Sequence, residues 1–482
     1  MTMWRPFSLF LTIVCSVVCA HAQINLAADA LLYSTDEGIT IPADTATHFV
    51  IKDILITGNK KTKNFIVLRE LPFQQDDHYP LNVLVQKFED TKRRLMNTGL
   101  FRSVVVSLKS LKGFDAYVAI DVKERWYIYP IPLVKTVDRN INDWVVTQKM
   151  DMSRINYGFK LTHKNFTGRN DRLYVNLVNG FTKQVALRYD GLYLDSKLKW
   201  SSNFNVAWGK NHEIVYNTVN DKQVAYKSSN QFVNSFLRTQ FEVSYRRAIY
   251  TRHTFGIGYS FEDVADTLFK LNTRYSFQRQ VVRYPEIYYK LSHYNVDLIA
   301  YPKKGIIAEG MLLKRGIGSD VNLWQLSAMG SRYWPLNSKY TFNLRMAGML
   351  KLPFRQTYTT SQFLGYSSMF MQGYEYNVID GVVGGYTKAV LMRQILNTAI
   401  HIPSKRFERL NTIPIALYAK VYGNTGYVYN PEPGLNNLNN RLLYSGGGGL
   451  DIVLFNDFII KLEYSANQFR EKGLYLHKRD YF

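Results

Sequence analysis

The chain has 482 residues, a formal charge of +22 and 15% aromatic residues, with Tyr leading Phe and Trp at 35, 28 and 7. Its two cysteines, Cys15 and Cys19, both lie in the first twenty residues, which excludes a disulfide scaffold, a Cys-ligated zinc site and a cysteine nucleophile for everything beyond them. So many aromatics, with no low-complexity tract, also exclude a disordered chain.

Met1 to Ala22 reads as a secretory signal. Arg5 supplies the positive start, Phe7 to Val18 the apolar core, and Ala20-His21-Ala22 the small-x-small cleavage site before Gln23. That core is about a dozen residues long, short of the ~20 that a spanning helix needs. Val18 is too bulky for a lipoprotein cleavage site at Cys19. Gln23 to Thr47 shows no period and reads as a tether.

A small mixed domain is expected over 48–125. Phe49 to Thr57 is a β-branched run closed by the turn pair Gly58-Asn59. Thr62 to Leu71 is helical and stops at Pro72. From Leu81, the positions Leu84, Phe88, Thr91 and Leu95 recur at three and four, one face of an amphipathic helix that Gly99 terminates. Ser103 to Leu108 and Ala116 to Val122 follow as strands. The order is β-α-α-β-β. With Gly58-Asn59 after the first strand and Asn97-Thr98-Gly99-Leu100-Phe101 after the second helix, this order resembles a POTRA domain. The resemblance implies an exposed strand edge for unfolded client chains, here Arg102, Ser103, Val104, Val105, Val106, Ser107, Leu108 and Lys109. Such an edge binds through backbone hydrogen bonds and tolerates many sequences. Residues 126–153 read as a linker.

From Arg154 to Phe482 the chain alternates with period two. Ile155, Tyr157, Phe159 and Leu161 are apolar around Asn156, Lys160 and Thr162. The same dyad recurs at Val185 to Tyr189, Phe241 to Tyr245, Phe255 to Phe261, Phe342 to Met346 and Phe458 to Tyr464. Segments of about ten residues with this pattern, separated by Gly, Asn and Asp turns, mark a transmembrane barrel, and about sixteen can be placed here. The Tyr and Phe excess fits aromatic girdles. A soluble β-sandwich also alternates, but it would not explain the export signal or the polar parities rich in Arg, Lys and Gln. The fold class expected is therefore mainly β, a 16-stranded antiparallel transmembrane barrel (154–482) preceded by one small α+β domain.

Three motifs make the resemblance more specific. Met371-Gln372-Gly373-Tyr374 is similar to the long-loop motif of the BamA/TamA superfamily of outer-membrane assembly factors, which has Arg at the second place. Asn424-Thr425-Gly426 stands where that family has Asp-x-Gly. Gly446 to Leu450, with the last hairpin and the terminal Tyr481-Phe482, resembles its C-terminal strands, and Asn165-Phe166-Thr167-Gly168 its first barrel turn. The resemblance implies that Gln372, Gly373 and Tyr374 dock in the lumen against a strand carrying Asn424 and Gly426. Both members of the family's Arg–Asp pair are replaced here. Losing only one would leave a buried charge unpaired, which is expensive. A neutral amide pair that neither salt nor pH weakens is therefore expected. It also implies a weak seam between the first barrel strand, Arg154 to His163 with Tyr157 and Phe159, and the last, Leu474 to Phe482 with Leu474, Leu476, Tyr481 and Phe482. His477, Lys478, Arg479 and Asp480 make that last strand polar and poorly anchored.

Catalytic chemistry is not expected. The histidines make no His-x-x-x-His pair, and there is no Gly-x-Ser-x-Gly elbow and no phosphate loop. The four-glycine run precedes no helix pattern and reads as a strand kink. Neither a cofactor nor a metal is expected. The basic charge is spread along strands and turns with no recognition module, so anionic lipid and lipopolysaccharide fit better than nucleic acid. The resemblance implies a protein of the Gram-negative outer membrane, its POTRA domain in the periplasm. Its role would be to insert or translocate unfolded outer-membrane or secreted client proteins, with accessory periplasmic or lipoprotein subunits as possible partners. A secretion pore, a passive porin-like channel and a structural anchor of a surface complex are the alternatives.

Overall fold

The computed structural model describes residues 47–136, 144, 149–228, 230–275, 279–318, 321–366, 369–401, 412–455 and 458–478. The signal segment, most of the tether, and Tyr481 and Phe482 lie outside the described residues.

The N-terminal domain comprises β1 (His48–Thr57), α1 (Asn64–Leu68), β2 (His78–Pro80), α2 (Leu81–Asn97), β3 (Phe101–Lys112) and β4 (Asp115–Glu124). Its sheet order is β2-β1-β4-β3, with β1 parallel to β4. The face of α2 expected from its spacing is the one buried: Leu84, Phe88, Thr91 and Leu95. They pack on Ile51, Ile120 and Val122, each almost fully enclosed. Gly99 closes the helix at φ +72°. The first helix is shorter than its sequence span, starting at Asn64 and ending at Leu68.

The remaining strands are β5 (Ile128–Thr136), β6 (Ile155–Lys164), β7 (Arg172–Gly180), β8 (Thr182–Tyr193), β9 (Trp200–Asn211), β10 (Glu213–Val219), β11 (Lys222–Lys227), β12 (Asn234–Ala248) and β13 (Thr251–Val264). After the short helix α3 (Thr267–Leu271) come β14 (Val281–Val296), β15 (Gly305–Arg315), β16 (Leu323–Pro335) and β17 (Tyr340–Leu352). A long loop then carries α4 (Tyr358–Ser361), β18 (Gln362–Leu364) and β19 (Ile379–Asp380). Last are β20 (Val383–His401), β21 (Thr412–Tyr429), β22 (Leu442–Leu454), β23 (Phe458–Asn467) and β24 (Lys472–Lys478).

Sixteen of these form one antiparallel sheet that begins with β5 and ends with β24, with β10-β11 and β18-β19 as separate hairpins. The sheet curls so far that Tyr301, in the turn after β14, hydrogen-bonds Asp451 on the distant β22. Alternation sorts the two faces. On β21, Tyr418, Lys420, Tyr422 and Asn424 are buried inward while Val421 is 59% exposed outward. An outward apolar face around a polar interior is the arrangement a lipid-embedded barrel requires.

Two sequence expectations change here. Residues 126–153 are not simply a linker, because Ile128–Thr136 is the first strand of the sheet and pairs with β6 from Ile128↔His163 to Thr136↔Ile155. The segment from Arg154 on therefore supplies fifteen of the sixteen strands. Two prolines, Pro130 and Pro132, hid β5, since proline removes the ladder donor expected of a strand. The four-glycine run lies within the continuous strand β22.

Candidate functional site

Three places are brought into relation: the edge of the N-terminal domain, its junction with the barrel, and the loop docked inside the barrel.

The strand β3 stands at one edge of its sheet. All eight residues from Arg102 to Lys109 lie on it. Its faces differ: Val104 is buried in the domain core, whereas Val105 is 56% exposed. That leaves one backbone edge without a strand ladder among the described residues and an apolar outer surface beside it.

The domain rests on one end of the barrel. Glu70 accepts both guanidinium nitrogens of Arg246 on β12, at 2.7 and 2.8 Å, and Nε of Arg69 at 2.9 Å. Burial alone would lift the Glu70 carboxyl. The Arg246 hydrogen bonds and charge, with Arg69, outweigh that and hold it below the usual carboxylate range. Asn97, the last residue of α2, receives the backbone N–H of Ile299 and donates to the carbonyls of Val296 and Asp297. The Asn165-Phe166-Thr167-Gly168 turn joins β6 to β7 at this same end. Asn165 donates to Thr62, and the Gly168 carbonyl accepts from the Lys63 amide. Tyr127, just before β5, bonds Thr62 and the Leu100 carbonyl, and burial pushes its hydroxyl up to about 12.

Loops close the opposite end. Asp221, between β10 and β11, accepts the amides of Asn437 and Leu438. Arg274, in the segment between β13 and β14, pairs with Glu432, in the segment between β21 and β22.

Between the two ends, the segment carrying Gln372, Gly373 and Tyr374 sits inside the barrel. Met371, Tyr374, Val378 and Ile379 are almost fully buried. Gly373 has φ +91°, and a Cβ there would meet the Ser445 Cβ at 2.7 Å, so only glycine fits. Gly426 is likewise close-packed: a Cβ on it would meet the Met371 sulfur at 3.3 Å. The carbonyls of 372 and 373 are fixed by side chains of three strands. Asn424 and Ser445 donate to the Gln372 carbonyl at 3.4 and 2.5 Å, and Asn467 donates to the Gly373 carbonyl at 2.8 Å. The Tyr374 hydroxyl donates to the Tyr444 carbonyl.

The expected side-chain amide pair does not form. Asn424 meets the main chain of Gln372, while the Gln372 amide donates to Glu463 at 3.3 Å. The carboxylate partner has moved from β21 to β23. A contact that pH cannot touch therefore does not follow, because an ionisable group stands at its far side. Sequence reasoning did not single out Glu463, Lys420, Asp451 or Tyr301. Lys420 lies 2.6 Å from both Asp451 and Glu463, and all three are buried. A cavity of about 80 Å³ beside them is lined by Tyr301, Lys388, Gln372 and Lys420. Alternation alone carried this signal, since Lys420, Asp451 and Glu463 occupy inward positions on three successive strands.

The seam also shifts. The two ends of the sheet are β5 and β24, and no ladder joins them among the described residues. Tyr157 and Phe159 lie on β6, which pairs on both sides, and they face outward. Leu474 and Leu476 are on the terminal strand, 66% and 71% exposed. Its polar end is anchored rather than loose, since His477 Nδ1 lies 2.5 Å from Glu463.

A POTRA family model, described as a surface antigen variable number repeat, matches residues 49–125. The outer membrane protein assembly factor BamA of Neorickettsia risticii (strain Illinois) is 32% identical over 75 residues, which are 16% of this chain and 10% of that protein. The alignment thus spans about a tenth of that relative's length. BamA from Haemophilus ducreyi lacking POTRA domains 1-3 is 15% identical with a TM-score of 0.49, covering 89% of this chain and 83% of that one. CdiB from Escherichia coli is 8% identical with a TM-score of 0.46, covering 93% and 92%. Residues 49–125 form a POTRA domain, joined to an antiparallel sheet of sixteen strands.

Proposed function

We propose that this protein inserts client proteins into the outer membrane, or passes them across it, by receiving them at the β3 edge and templating them at the seam between β5 and β24. The observation that carries this reading is the seam itself. In a closed barrel every backbone group is paired, which is what lets strands cross lipid at all. Among the described residues the first and last strands share no ladder, and such ends present two backbone edges that a client strand can pair with. No nucleotide is needed, because the client's own strand pairing and burial supply the free energy. The relative named as an outer membrane protein assembly factor, matched over 75 residues, supports the reading at the level of the class. The loop docked on inward side chains of β21, β22 and β23 weighs against a passive pore, since it occupies part of the lumen an ion would cross. Anionic lipid and lipopolysaccharide suit the +22 charge as the surrounding surface, and periplasmic or lipoprotein subunits as helpers belong to the same proposal.

The test is reconstitution into liposomes, timing the folding of a urea-unfolded client barrel with and without the protein. The proposal expects faster folding. Steady ion conductance without any acceleration would replace it by a passive channel.

A further inference from the structure

The last strand is held by more than its ladder. With seven residues and, among the described residues, a partner on one side only, β24 resembles a fraying terminus. Its outward residues are Leu474 and Leu476, and its inward residues are Tyr475 and His477. What those inward side chains meet is the lumen loop. The Phe370 ring packs edge-on against His477 with centroids 5.2 Å apart, and Tyr376 packs against Tyr475 at 5.6 Å. Glu463, on the neighbouring β23, lies between the two systems with its side chain 1% exposed. Its oxygens are divided: Oε1 takes Lys420 and the Gln372 amide, and Oε2 takes His477.

We infer that the docked loop braces β24 in the barrel wall, with Glu463 as the positioning residue that ties loop to strand, so that loop release and seam opening are one event. The inference rests on the seam reading above, and it adds what controls the seam. Moving β24 away separates Tyr475 from Tyr376 and His477 from Phe370 and Glu463. Lifting the loop removes the same aromatic contacts from the other side and strips Gln372 from the carboxylate that holds His477. Neither element can leave without loosening the other. Lys420 contributes a different part: bound to both Asp451 and Glu463, it keeps the Glu463 carboxylate in place whether or not the loop is docked.

Hydrogen–deuterium exchange on the full-length protein in lipid nanodiscs tests this without any client. Tyr376→Ala and Gln372→Ala alter the loop alone. Each is expected to raise exchange in the 371–378 peptide and, together with it, in the 472–478 peptide, by about fivefold, the scale of one aromatic contact for Tyr376→Ala and of one hydrogen bond for Gln372→Ala. Glu463→Gln keeps the shape of the side chain and is expected to raise both. Exchange in β12 and β13, far from the loop, reports whether each variant has folded. A loop peptide that loosens while 472–478 keeps its wild-type protection would overturn the inference, and so would loop substitutions that loosen neither. Failure of the client-folding assay would leave these exchange results standing, so the two claims fail separately.

Discussion

Arg246, on the barrel strand β12, grips Glu70 of the POTRA domain with two guanidinium nitrogens at 2.7 and 2.8 Å, in a site where the carboxylate side chain is 4% exposed and the arginine 18%. This pair crosses between the domain and the barrel and is charge-assisted at both of its bonds, which makes it a strong determinant of how the domain sits.

Substituting Glu70→Gln is expected to loosen the domain from the barrel by about 3 kcal/mol, because the guanidinium is left buried without its counter-charge. Limited proteolysis or exchange in the 64–71 segment would read the change. The charge swap of Glu70→Arg with Arg246→Glu is expected to recover part of the loss, and recovery of nothing would show that packing rather than charge sets the contact.

The same pair gives docking a pH dependence of definite sign. Glu70 has its carboxyl held below the ordinary value when docked, so the undocked domain binds a proton more readily. The contribution is fully present above the undocked pKa of about 4.3 and fades as pH falls through the lower docked value. Protection of 64–71 is therefore expected to be flat from about pH 5 to 8 and to fall below about pH 4. In Glu70→Gln that acid step should be missing.

Replacing Gly373→Ala is expected to weaken loop docking by about 2 kcal/mol, from a left-handed backbone and a blocked approach to Ser445 together. The two causes separate. Ser445→Gly removes the nearest obstructing atom, the Ser445 Cβ at 2.7 Å, but also the hydroxyl donated to the Gln372 carbonyl. Gly373→Ala is therefore measured in the Ser445→Gly background against Ser445→Gly alone, where only the steric part of its cost is expected to vanish. Full restoration would mean that the φ of +91° carries no penalty.

Double-mutant cycles distinguish the two partners of the loop motif. Gln372→Ala and Asn424→Ala should be close to additive, because Asn424 bonds a main-chain carbonyl that alanine retains. Gln372→Ala and Glu463→Gln should couple by about 1.5 kcal/mol, the lower end for one hydrogen bond to a charged group. Coupling in the first cycle and none in the second would restore the amide pair anticipated from sequence.

The sequence was most legible where one period dominated. The face of α2 could be read from Leu84, Phe88, Thr91 and Leu95 because a 3.6-residue repeat leaves few alternatives. The inward parity of Asn424 with Lys420 and Tyr422 followed from the two-residue repeat of β21. What failed was local chemistry acting against a pattern. Pro130 and Pro132 disguised β5, and with it the true start of the barrel. The Gln372–Asn424 expectation failed for another reason: parity tells which side a residue faces, but not how far along the barrel axis it stands. That height depends on strand register, and it brings Glu463 rather than Asn424 opposite the Gln372 amide. His477 was misjudged likewise, since a polar residue on a terminal strand is anchored once a buried carboxylate stands beside it.

The central claim is that client strands enter at the seam between β5 and β24. Because Cys15 and Cys19 are the only cysteines and both precede the barrel, one cysteine introduced into each of these two strands can be bridged by a reducible cross-linker. The decisive measurement is the rate of client folding in liposomes with the seam bridged, and again after reduction. The account predicts a fall to the protein-free rate and recovery on reduction. Acceleration that persists with the seam bridged would contradict it.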